Sequence, residues 1–97
     1  EETLADGAAV ERVPDFSNDL LDSLVHGIIG LSEEEIGQGI AYLWKNFNIR
    51  SEGTGALATA AYVLNKDLFS RYDQVLTFVT GNNIDEAVFQ QIVKLYE

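Results

Sequence analysis

Asp73-Gln74-Val75-Leu76-Thr77-Phe78-Val79-Thr80-Gly81-Asn82 is the stretch that decides the fold class. Between Asp73 and the turn pair Gly81-Asn82, residues 74–79 form a nearly continuous apolar run, which suits a strand buried on both faces. Parallel strands have this composition. Working outward, Val25-His26-Gly27-Ile28-Ile29-Gly30-Leu31 is also rich in β-branched residues and too short for a stable helix, so it reads as a second strand. Helical patterns lie between and after these runs. The order strand, helix, helix, strand, helix implies an α/β layer architecture.

The first of those helices carries the clearest local signal. Ser32-Glu33-Glu34-Glu35 is a capping box, and its carboxylates oppose the positive end of the helix dipole. Ile36, Ile40, Leu43, Trp44 and Phe47 follow at helical spacing as one apolar stripe. Gly37 and Gly39 interrupt it, which points to close packing against another element. The turn Ser51-Glu52-Gly53-Thr54-Gly55 opens a helix of small residues over 56–64, where Ala58, Ala60 and Ala61 let it lie tightly on a sheet. Asn83 caps the last helix, with Ile84, Val88, Ile92 and Leu95 as its stripe. Near the start, Asp6-Gly7 and Pro14 mark residues 1–15 as extended or looped, with Leu4, Ala8 and Val10 pointing inward. Ser17 then caps a short helix carrying Leu20, Leu21 and Leu24.

The 97 residues suit one domain at most. No initiating methionine and no leader are present, so the expectation is a piece of something longer. Sixteen acidic residues against six basic ones give a net charge of −10, which repels phosphate backbones and anionic lipid surfaces. Nucleic acid and membrane are excluded as expected partners. Without cysteine there is no disulfide framework or thiolate metal site, and a reducing compartment is compatible. No metal site is expected. His26, the only histidine, lies within an expected strand and reads as a plain half-buried residue.

Two turns join glycine to a functional side chain where open α/β sheets place ligands: Glu52-Gly53-Thr54-Gly55-Ala56 and Thr80-Gly81-Asn82-Asn83. The plainer alternative makes Glu52 an exposed turn acid and Thr80 a strand-end residue bonding a local amide. Four stretches then line up in order: Leu4-Ala5-Asp6-Gly7-Ala8-Ala9-Val10, Leu31-Ser32-Glu33-Glu34-Glu35-Ile36, Ser51-Glu52-Gly53-Thr54-Gly55-Ala56-Leu57-Ala58 and Val79-Thr80-Gly81-Asn82-Asn83-Ile84-Asp85. Together they resemble landmarks of the threonine/serine dehydratase family of pyridoxal-phosphate (PLP) enzymes, over nearly all of residues 1–97. Serine racemases are similar, and the tryptophan synthase β chain is a weaker likeness.

The resemblance implies the C-terminal part of a PLP-binding catalytic domain, a twisted, mostly parallel sheet flanked by helices. It also implies a cytoplasmic homo-oligomer acting in amino-acid metabolism, with the remainder of the catalytic domain as this stretch's partner. By the same resemblance Thr80 stands where the family's serine hydroxyl meets the cofactor's pyridine nitrogen. A neutral hydroxyl there moderates the electron sink and suits β-elimination of L-threonine or L-serine. Glu52 matches a glutamate near the cofactor ring and Gly7 a glycine whose loop lines the pocket, with Asp6 fixing that loop. Gly81 and Asn83 match the turn, whereas Asn82 stands where the family has a second glycine. Lys45, Lys66 and Lys94 lie in nothing like the family's Schiff-base motif, so residues 1–97 are not expected to anchor PLP covalently. Two alternatives stay open, a racemase-like enzyme and a non-catalytic module that docks onto a partner chain.

Overall fold

The computed structural model describes residues 2–9 and 15–97. Four α-helices carry it: α1 (Asp15–Leu24), α2 (Glu33–Phe47), α3 (Leu57–Val63) and α4 (Glu86–Leu95). Single 3₁₀ turns lie at Asp6–Ala8, Thr54–Ala56 and Lys66–Phe69. The α2 helix is the hub, with α3 and α4 packed on it, whereas among the described residues α1 packs on no other helix.

Local chemistry accounts for α2. Ser32 Oγ accepts from the Glu35 amide at 3.1 Å, and Glu35 Oε1 accepts from the Ser32 amide at 2.9 Å. The capping box therefore forms as its sequence indicates. Asn48 ends the helix in the left-handed conformation at φ 56°, a form asparagine tolerates. Along the stripe Ile36, Ile40 and Leu43 are buried and Trp44 is half-buried, while Phe47 lies outward against Tyr42. Gly39 fulfils the close-packing expectation. A Cβ there would stand 2.6 Å from the Ala60 Cβ, so α3 rests directly on the α2 backbone. From the other side α4 brings Phe89, 1% exposed, edge-on to Trp44 with ring centroids 5.5 Å apart.

The expected parallel sheet is not formed: among the described residues there is no strand. Residues 25–31 and 74–79 run without regular structure and without a hydrogen-bonded ladder. The reason is physical. A helix satisfies its amides within itself, whereas a strand needs a second strand in register, and among the described residues no such neighbour lies beside either run. The second run nevertheless keeps the period-two habit of a strand. Val75, Thr77 and Val79 face α2 and α3, with Thr77 Oγ1 3.3 Å from Thr59 Oγ1, while Leu76 and Phe78 are 79% and 70% exposed. The expectation of burial on both faces is thus corrected to partial cover on one, where Val75 and Val79 are still 37% and 38% exposed. In the first run Ile28 is 92% exposed and His26 is also exposed.

Smaller corrections concern helix ends and inward residues. The first helix begins at Asp15, so Ser17 lies inside it, and its Leu20, Leu21 and Leu24 are exposed. Asp85, not Asn83, caps α4, its Oδ1 accepting from the Val88 amide at 3.1 Å. The small-residue helix packs on α2 instead of a sheet; Ala60 is buried, Ala58 exposed and Ala61 half-buried. Near the start Ala5 is the buried residue and Ala8 is exposed; Val10, with Pro14, lies outside the described residues.

Candidate functional site

Three stretches far apart in sequence meet at one end of α2. Glu33, in the first turn of α2, holds the first of them: its carboxylate accepts from Thr3 Oγ1 at 2.6 Å and from the Leu4 amide at 2.7 Å. Those two bonds, the Thr3 hydroxyl before the Leu4 amide, hold its carboxyl below the ordinary range. Leu4 then lies against Gly53. A side chain at Gly53 would collide with the Leu4 carbonyl, so the two backbones touch.

Glu52 joins the second stretch to the third. Its carboxylate accepts from the Gly55 amide at 2.8 Å and the Thr54 amide at 3.2 Å, closing the 3₁₀ turn over itself. Its own amide donates to the Gly81 carbonyl at 3.3 Å. Gly81 adopts φ 85°, and a Cβ built on it would stand 3.1 Å from Glu52 Oε1. Glycine is required here by backbone conformation as well as by space.

Between the three stretches lies an open cavity of about 520 Å³, a volume within the usual range for small-molecule sites. Asp6, Gly7, Glu52, Gly81 and Asn83 line it, and all five are residues that the sequence singled out. The sixth, Thr80, is exposed and lies outside the lining, its carbonyl packed against Gly55. Asn82 is exposed as well. Sequence reasoning missed Thr3, Leu4, Ile84, Asp85 and Val88 as lining residues, and had Gly53 only as part of the turn that it singled out. Asp85 had a readable signal, an acid in the first turn of the helical stripe.

Charge on the wall is one-sided. Asp6, Glu52 and Asp85 contribute carboxylates, and no lysine or arginine is among the described lining residues. Thr54 Oγ1 is buried without a hydrogen-bond partner and would stand 3.1 Å from a Cβ on Gly7, at the edge of the cavity. Among the described residues no group of histidine, cysteine, aspartate and glutamate could hold a metal ion. None of their helices is long and apolar enough to cross a membrane.

Known proteins define the class first. Over almost its whole length the chain is a relative of amino-acid ammonia-lyases of the dehydratase type, matching a part of each. More particularly, these are L-threonine enzymes. The L-threonine ammonia-lyase of Thermotoga maritima is 36% identical over 91 residues, which is 94% of this chain and 22% of that protein. The catabolic L-threonine dehydratase of Escherichia coli K12 is 34% identical over 91 residues, 93% of this chain and 28% of that protein. The L-threonine ammonia-lyase of Geobacter sulfurreducens is 30% identical over 92 residues, 95% and 23%. The chain therefore spans about a quarter of the length of the curated relatives it matches. No protein-family model and no solved structure matches it.

Of the groups that a PLP site needs, the lining supplies some and lacks another. Gly7, Gly53 and Gly81 line the cavity, and the side chains of Glu52, Asp6 and Asn83 bring polar groups to it. A phosphate finds no cation among the described lining residues. The Val88 amide in the first turn of α4 is already used by the Asp85 side chain.

Proposed function

We propose that the chain is part of a PLP-dependent ammonia-lyase that converts L-threonine or L-serine to a 2-oxo acid and ammonia by β-elimination. The observation that carries this reading is the meeting of Asp6, Gly7, Glu52, Gly81 and Asn83, drawn from three separate stretches, on one cavity. The names of the relatives support the same chemistry.

When bound, PLP supplies an electron sink that lets the bond to the substrate's β-hydroxyl break. The residues of this chain would form one wall of its site. Glu52, oriented by the Thr54 and Gly55 amides, presents a fixed carboxylate to the ring. Gly7 and Gly81 would let backbone approach closely and Asp6 and Asn83 would contribute polar side chains, while Thr80, next to Gly81 but outside the lining, would meet the ring nitrogen only with the remainder of the catalytic domain in place. Covalent anchoring and phosphate binding belong to the remainder of the catalytic domain, which would also cover Ile28, Leu76 and Phe78. Threonine and serine differ by one methyl group, worth about 1 to 3 kcal/mol in an apolar pocket. A homo-oligomer in the cytoplasm completes the reading, in keeping with a cysteine-free chain.

The test is the visible absorbance of the complete protein before and after L-threonine, with 2-oxobutanoate assayed in parallel. A cofactor band that shifts as keto acid forms is the expected result. A colourless protein that makes no keto acid would replace the enzyme with the docking module.

A further inference from the structure

Arg50 lies just outside the cavity, yet it ties two of the cavity's walls together. Its Nη2 donates to the Ile84 carbonyl at 3.0 Å, and Nη1 pairs with the Glu86 carboxylate. Its guanidinium lies over the Phe89 ring, 4.7 Å from the centroid, and Phe89 is buried against Trp44. The planar fork is thus held on three sides, by a carbonyl, a carboxylate and a ring, an arrangement that suits arginine and not lysine. In sequence Arg50 is joined through fully buried Ser51 to Glu52, whose amide donates to the Gly81 carbonyl. Ile84 lines the cavity. The two crosslinks, Glu52 to Gly81 and Arg50 to Ile84, therefore run side by side between residues 50–52 and residues 81–84. Of the two, the arginine bond is charge-assisted and backed by the buried Phe89 ring, whereas the other is a long amide bond at 3.3 Å.

We propose that Arg50 is a positioning residue, whose bond to the Ile84 carbonyl fixes the spacing between the Glu52 wall and the Gly81–Asn83 wall and so sets the affinity of the cavity for its ligand. This rests on the PLP reading for the identity of that ligand. Glu86 belongs to the outer end of the arrangement: Gln90 Nε2 also donates to it at 3.0 Å, and it does not line the cavity.

The experiment compares the complete protein with its Arg50→Met, Arg50→Lys and Glu86→Gln variants by two readouts. The first is amide hydrogen exchange at residues 81–85 without cofactor; the second is the dissociation constant of PLP from the cofactor-stripped protein. Arg50→Met is expected to speed exchange at 81–85 and to weaken PLP about tenfold, the scale of a lost charge-assisted hydrogen bond. Arg50→Lys is expected to recover part of both, and Glu86→Gln to change PLP affinity less than about twofold, since it leaves the carbonyl bond in place. Equal losses in Arg50→Met and Glu86→Gln would overturn the proposal, because the ion pair and not the carbonyl bond would then matter. Unchanged exchange and affinity in Arg50→Met, with a parent that binds PLP, would overturn it and leave the enzyme reading standing. A parent with no PLP affinity would sink the enzyme reading and the affinity claim together, while the exchange data would still report whether Arg50 holds the wall.

Discussion

Around α2 the apolar side chains turn inward, and along residues 25–30 and 75–79 many of them turn outward. Ile40 is fully buried, whereas Ile28 is 92% exposed, although the residue type is the same. What separates the two regions is where their backbone groups find partners. In α2 every internal amide is satisfied four residues away and the ends are closed by Ser32 and Asn48, so side chains only have to find one another. Among the described residues the runs over 25–31 and 74–79 have no ladder; the second meets α2 and α3 on one side only, and the outward Leu76 and Phe78 have nothing to press against. Apolar composition alone does not decide burial; closure of the backbone comes first.

The sharpest way to break this comparison is to remove a side chain from the first region and one from the second. Phe89→Ala empties the contact with Trp44 and with the Arg50 guanidinium, and should cost about 3 to 5 kcal/mol of unfolding free energy in a urea titration. Leu76→Ser should change the same chain by less than about 0.5 kcal/mol. Next, Gly39→Val drives a branched side chain into Ala60 and should cost at least about 1 to 3 kcal/mol, read as a lower midpoint. Ser32→Ala removes one half of the capping box and should cost about 1 kcal/mol, with helical circular dichroism lost in proportion. The smallest effect is set by pH. Glu33 titrates below its ordinary value of 4.5 when folded, so its bonds to Thr3 and Leu4 contribute fully above that value and are lost as pH falls through the depressed one. Glu33→Gln should therefore flatten the acid limb of stability against pH; an unaltered limb would mean that this tether contributes nothing.

The helices were legible wherever a signal was local. Ser32 to Glu35 spells its own cap, and the stripe from Ile36 to Leu43 names its own buried face. Asn83 misled because Ile84 was taken into the helix, whereas the helix starts at Glu86 with Asp85, an equally good cap, directly before it. The sheet was read from apolar runs, and the second of them does alternate as a strand does, with Val75, Thr77 and Val79 on one side. Pairing is a property of two segments, and no single segment states it. Five of the six expected site residues share a cavity because glycine turns are visible in sequence. Arg50 was invisible there. Its role depends on Ile84, Glu86 and Phe89, more than thirty positions away.

That separation along the chain bears on the order of folding. The capped α2, its Asn48 reversal and α3 form a hairpin of near neighbours, and such structure closes early because little loop entropy is lost. The cavity waits for longer loops, with Thr3 joining Glu33 across 30 positions and Arg50 joining Ile84 across 34. Its walls are thus assembled last on a scaffold already standing, and changes at Gly53 or Gly81 should act on the unfolding rate far more than on the folding rate.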